Sequence, residues 1–129
     1  MAGTLTVGRE PMKIYGNIYG EIITVSWTSD SSGNADVTVP NMNGFIVSAK
    51  TTPSGSAAPT ANYDIKLKDS AGFDVLGSVL NDRSASAVER IPAANSGVVA
   101  VAHLHGTYTF DVTNAGNAKA GTCVFRLIF

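Results

Sequence analysis

The sequence predicts an all-β fold: a single-domain β-sandwich with jelly-roll or related Greek-key connections and little helix. Three observations predict it. Apolar residues alternate with polar ones in short runs, the period of a half-buried strand. Clusters of Gly, Asn, Asp, Ser and Pro separate those runs every several residues, as in β-sandwiches and barrels. Only Leu80–Glu89, LNDRSASAVE, has helical composition, and it stops before Pro92.

In chain order, Thr4–Val7 alternates thinly at Leu5 and Val7 and is stopped by Gly8 and Pro11. Ile-Tyr-Gly then occurs twice, at Ile14–Gly16 and Ile18–Gly20. Glycine costs about 1 kcal/mol in a helix, so extended structure with a bend is expected here. Glu21–Thr28 is a strand with Ile23, Val25 and Trp27 on one face. Ser29–Asn34 is a turn, Val37 and Val39 mark a strand ending at Pro40, and the following NMNG turns the chain. In the next strand, to Thr51, Phe45, Val47 and Ala49 should share a face. Thr51–Ala61 is a small-residue loop, expected to be the most mobile segment. Tyr63, Ile65 and Leu67 alternate with Asp64, Lys66 and Lys68, and DSAG then turns the chain into Phe73, Val75 and Leu76. AANSG is a further turn, and Val98–Leu104 reads as a strand covered on both faces. Finally, Tyr108, Phe110 and Val112 lie on one strand and Cys123, Phe125, Leu127 and Phe129 on another. The loop between them, NAGNAKAG, suggests that the two pair as an antiparallel hairpin. Eight or nine short strands result.

At 129 residues the chain is one domain with room for a core of its own. Two segments are expected: residues 1–20, an arm at a subunit contact, and residues 21–129, the sandwich. A net charge of −1 gives no basic footprint for nucleic acid. One cysteine, Cys123, excludes an intrachain disulfide. No apolar run approaches the roughly 20 residues of a membrane span, and the first residues do not read as a signal peptide. Neither nucleic acid nor a membrane is therefore expected as a partner.

Candidate chemistry is sparse. His103 and His105 would point to one strand face, but a metal centre needs three or four ligands, so no metal or cofactor is assigned. Asp30, Ser32, Asn34 and Asp36 faintly echo a calcium loop, yet Val39 stands where its glutamate would be; a polar turn is the simpler reading. Cys123 shares a face with Phe125 and Leu127 and reads as a core residue. Asp82, Arg83, Glu89 and Arg90 suggest surface ion pairs. No catalytic residues are assigned. Interface candidates are Val124, Arg126 and Ile128, on the outer face of the last strand, and Tyr15 and Tyr19, since tyrosine suits interfaces.

The run YDIKLKDSAGFDVLGSVLNDR and the later VTNAG…G resemble small structural proteins of tailed bacteriophages. The resemblance rests on Tyr63, Asp64, Ile65, Leu67, Asp69, Gly72, Asp74, Leu76, Gly77, Asn81 and Arg83, then Val112, Asn114, Ala115, Gly116 and Gly121. Ser78 stands where a second glycine is expected. The resemblance covers Tyr63 to the end and implies a non-enzymatic virion component made in a bacterial cytoplasm. A head decoration (cement) protein is the first expectation, bound to the major capsid protein and itself a homo-oligomer, with a trimer favoured. A neck, collar or fibre-anchoring protein is the alternative, and a carbohydrate-binding β-sandwich module is a further one.

Overall fold

The structure, a computed structural model, describes residues 3–91 and 102–129. Seven strands form among them: β1 (Thr4–Ile14), β2 (Asn17–Thr28), β3 (Ala35–Pro53), β4 (Asp64–Lys68), β5 (Glu89–Ile91), β6 (Ala102–Thr113) and β7 (Ala120–Ile128). They pair antiparallel in the order β1-β2-β7-β3-β6-β4, with β5 also on β3. No described helix is long and apolar enough to cross a membrane.

The 19-residue β3 organises the fold. Its first part pairs with β6, from Ala35↔Val112 to Ile46↔Ala102. Its second part pairs with β7, from Phe45↔Ile128 to Pro53↔Gly121. The sheet therefore folds over along β3, and its two halves face each other as the layers of a sandwich. Phe110 on β6 meets Phe125 on β7 edge-on, with ring centroids 6.1 Å apart. Trp27 on β2 meets Tyr63, just before β4, at 5.5 Å. Burying such rings removes 150–250 Å² each from water, worth about 4–6 kcal/mol apiece before entropy is charged against it. The expected all-β sandwich is what forms, with seven described strands whose order does not by itself define a jelly roll.

The alternating residues expected to face inward do so in three strands, Ile23, Val25 and Trp27, then Tyr63, Ile65 and Leu67, then Cys123, Phe125 and Leu127, but Phe129, expected with the last three, lies beyond the end of β7 and is exposed. Elsewhere the structure departs from the sequence reading. β6 and β7 do not pair with each other; the Asn114–Lys119 connection carries the chain from one layer to the other, so the expected C-terminal hairpin is an arch between layers. Pro40 and NMNG do not end a strand. Pro40 and Asn41 form a bulge between Val39 and Met42 within β3, where a proline's missing N–H is tolerated, and Met42–Gly44 continue the pairing with β6. A second irregularity, between Ile46 and Ser48, shifts the phase again. Ile46 and Ala49 are buried in consequence, and Phe45 is turned outward. Leu80–Glu89 forms turns, not a helix. β1 runs past Gly8 and Pro11 to Ile14, because an edge strand accepts proline. The AANSG turn and the start of the Val98–Leu104 run lie outside the described residues.

Arg9 closes the side of the sandwich. Its Nε and Nη2 donate to the two carboxylate oxygens of Glu21, at 2.9 and 2.8 Å. The same guanidinium donates to the carbonyls of Pro40 and, at 2.7 Å, Asn41. Carbonyls freed by the β3 bulge thus find donors from β1. The Glu21 hydrogen bond raises the Arg9 pKa further above its ordinary value. The loop expected to be mobile is held too: Ser54 N–H donates to Ala120 O, Thr60 N–H to Ala115 O, and Ala57 O accepts from Ala120 N–H.

Candidate docking surface

Residues directly opposite each other in an antiparallel pair share a face. The register therefore gives the composition of each outer surface. On the layer holding β1, β2, β7 and the second part of β3, one row crosses five strands: Met12, Gly20, Ile128, Phe45 and His103. Phe45 and His103 stack with ring centroids 4.6 Å apart. Phe45 is 47% exposed, Ile128 37% and Phe129 67%. Phe129 N–H donates to Tyr19 O at 2.9 Å, which brings another exposed aromatic residue, Tyr19, to this end of the sheet. Beyond it the β1–β2 hairpin carries exposed Ile14, Tyr15 and Ile18. The next rows are more polar: Glu10, Ile22, Arg126 and Ser48, then Gly8, Thr24, Val124, Lys50 and Arg90.

The opposite layer presents Asp36, Asp111 and Lys66 in one row and Thr38, Thr109 and Lys68 in the next. Lys68 Nζ lies 2.9 Å from Asp111 Oδ2, and that contact raises the lysine pKa. Both outer surfaces thus carry charges, and the one with Phe45 and Ile128 also carries exposed apolar side chains at one end.

The five interface candidates all lie on or beside the apolar layer. Ile128 sits in the aromatic row, Arg126 is exposed one row on, and Val124 is half-buried between Thr24 and Lys50. Tyr15 and Tyr19 belong to the β1–β2 hairpin, so residues 4–14 are an edge strand of the sheet. Phe45, Met12 and Phe129 were not singled out from sequence. Phe45 could not have been, since its outward direction follows from the bulges in β3.

Residues considered for chemistry hold the scaffold. Cys123 is fully buried, and burial pushes its thiol far above the usual range. Burial likewise pushes the Tyr63 phenol up to about 12, opposed by the Thr51 hydroxyl; neither hydroxyl has a hydrogen bond of proper geometry. Asp30 Oδ1 accepts backbone N–H bonds from Ser32 and Asn34, both at 2.9 Å, closing the turn before β3. His103 and His105 are exposed, opposite Phe45 and Asn43. No group of three or more His, Cys, Asp or Glu side chains that could hold a metal occurs among the described residues. Arg83 Nη1 lies 3.8 Å from Glu89 Oε1, while Asp82 donates its backbone N–H to Asp64.

The residues of the Tyr63–Arg83 run are turn-formers and core. Asp69 Oδ1 accepts from Ala71 and Phe73 N–H, both at 3.0 Å. Asp74 accepts from Leu67, Leu76 and Ser78 N–H at 3.2, 3.1 and 3.0 Å. Asp64 joins the two halves of the run, accepting from Asp82 N–H and from Asn114 Nδ2 at 2.9 and 2.7 Å. No family model, curated protein or solved structure matches this chain.

Proposed function

We propose that this chain is a non-enzymatic structural protein of a tailed-phage virion, a decoration protein that stabilises the head by bridging capsid subunits. The observation that carries this reading is the inequality of the two outer surfaces. On one layer Ile128, Phe45 and His103 are exposed side by side on three neighbouring strands, with half-buried Met12 continuing their row on β1, and the rows described for the other layer hold only charged and hydroxyl side chains. An apolar surface of that kind suits contact with another protein. The resemblance of Tyr63–Phe129 to phage structural proteins supplies the context, and its motif residues serve the scaffold, as a protein working by contact requires. Repeated copies on a symmetric shell would add weak contacts through multivalency.

The test is cosedimentation of the purified protein with unexpanded and expanded capsids of the encoding phage. Saturable binding is expected, weakened at least tenfold by Phe45→Ser or Ile128→Ser with unfolding curves unchanged. A wild-type protein that stays in the supernatant with both capsid forms refutes the proposal.

A further inference from the structure

The β1–β2 hairpin turns at Tyr15 and Gly16, with φ of +50° and +80°. Positive φ at both central residues is the geometry of a type I′ turn, filled at low cost by Asn-Gly or Asp-Gly. A tyrosine there is strained, because its β-carbon crowds the backbone. It gains no packing in exchange: Tyr15 is 99% exposed, beside Ile14 at 54% and Ile18 at 56%. An aromatic residue kept in a strained conformation without an internal contact points to an external one.

The same sheet carries a receiving surface at its far end. A trough of about 470 Å³ is lined by Thr6, Ser26, Thr122 and Thr52 from one row, and by Thr4 and Thr28 from the next. Leu5, Pro53 and Ala120 add apolar surface to it. Hydroxyls beside apolar groups suit a tyrosine, whose ring is apolar and whose tip forms hydrogen bonds. A neighbouring depression shares Thr4 and Thr28 with the trough and includes Asp30. The backbone N–H of Asn34, and then that of Ser32, hold the Asp30 carboxyl below its ordinary range, so it is ionised at neutral pH. On the hairpin, Lys13 has no ion-pair partner among the described residues.

We propose that the Ile14–Ile18 hairpin tip of one copy docks into the threonine-lined trough of a second copy, with Tyr15 as anchor and Lys13 approaching Asp30. Tip and trough lie at opposite ends of the β1–β2 ladder, about 30 Å apart at the strand rise. The contact joins unlike patches, so it closes as a reciprocal antiparallel pair, in which each tip enters the other copy's trough, or runs head-to-tail into a ring or chain. Its small area places it among weak, concentration-dependent associations. It uses different residues from the capsid-docking row and is independent of that reading, because it is tested on the isolated protein.

Sedimentation velocity across a concentration series, at about 0.01 M and at about 0.5 M salt (roughly a sevenfold shorter Debye length in the latter), is the experiment. Wild-type mass should rise with concentration, and less so at high salt. Tyr15→Asn should raise the apparent Kd at least tenfold, with equal or higher Tm because asparagine accepts positive φ. Thr122→Trp, filling the trough, should also give monomers. Mixing the two variants should restore a 1:1 dimer and nothing larger, since one supplies the intact trough and the other the intact tip. A wild type monomeric at every concentration, an assembly unaffected by Tyr15→Asn, or a mixture that stays monomeric would each overturn the proposal. Should Thr122→Trp fail to fold, Tyr15→Asn against wild type decides alone.

Discussion

Single residues close the gaps that a folded-over sheet leaves. Gly121 lies where Trp27 crosses β7: a β-carbon there would sit 2.8 Å from Trp27 Cζ2 and 2.9 Å from Thr52 O. Gly121→Ala should therefore destabilise the protein by about 1–3 kcal/mol in urea unfolding, as overpacking does. Arg9 is the donor for two β3 carbonyls, and hydrogen bonds to charged groups contribute about 1.5–3 kcal/mol each at most. Arg9→Met keeps the aliphatic stem and should still lose about 1–3 kcal/mol; an unchanged urea midpoint would show that water replaces the guanidinium. Tyr63 behaves oppositely. Its buried hydroxyl is unpaired, so Tyr63→Phe should be neutral or stabilising by up to about 1 kcal/mol. The phenol also sets a pH dependence. Between its ordinary pKa near 10 and its folded value of about 12, the unfolded chain loses a proton that the native state keeps. The Tyr63 contribution is full below pH 10 and is lost as pH rises through that window, while the buried Cys123 thiol, also pushed up, adds a loss that begins near its lower ordinary pKa of about 8.5. Tyr63→Phe should reduce this alkaline slope, read from urea midpoints between pH 9 and 12.

At the scale of elements, β4 is the exposed edge of its layer, and the segment after it covers that edge. Ile65 N–H donates to Leu80 O, Val75 N–H to Leu67 O and Arg83 N–H to Tyr63 O. Asp74 fixes the segment by accepting three backbone amides, so one side chain serves as the hub of a helix-free covering. Asp74→Ala leaves those donors without their acceptor and should cost about 2 kcal/mol, while the distant Asp36→Ala stays within about 0.5 kcal/mol. Equal urea midpoints for the two variants would argue against the hub. The other edge, β1, is guarded over part of its length by Arg9, Glu10, Pro11 and Lys13, the charges and proline that discourage edge pairing.

For the whole molecule, the connectivity sets how it folds. β6 and β7 are joined by six residues yet pair with strands far away in sequence, and β3 must meet both. Non-local pairing pays loop-closure entropy before contacts reward it, so refolding should take milliseconds to seconds, near the slow end for small domains. Stopped-flow Trp27 fluorescence measures it, and refolding within microseconds would contradict the topology. The same connectivity leaves two unlike outer surfaces, since β3 lends its polar first part to one layer and Phe45 to the other.

Period-2 alternation determined most of the fold class and much of the core from sequence alone. Ile23, Val25 and Trp27 had to face inward together wherever their strand lay, because burial selects a face. The DSAG turn was legible too, since Asp69 holds the amides of Ala71 and Phe73, but the turns fixed by Asp74 were not, nor were those over Leu80–Glu89, because that stretch has helical composition. Only the tertiary structure decided which strand lies beside which. Backbone donors and acceptors are the same at every residue, so alternation names a face and never a neighbour. This is why the last two strands read as a hairpin and instead face each other across the core. It is also why the exposed apolar row was half seen. Ile128 follows from its own strand, but Phe45 turns outward only because β3 bulges twice, to pair with β6 and β7 while the sheet folds over.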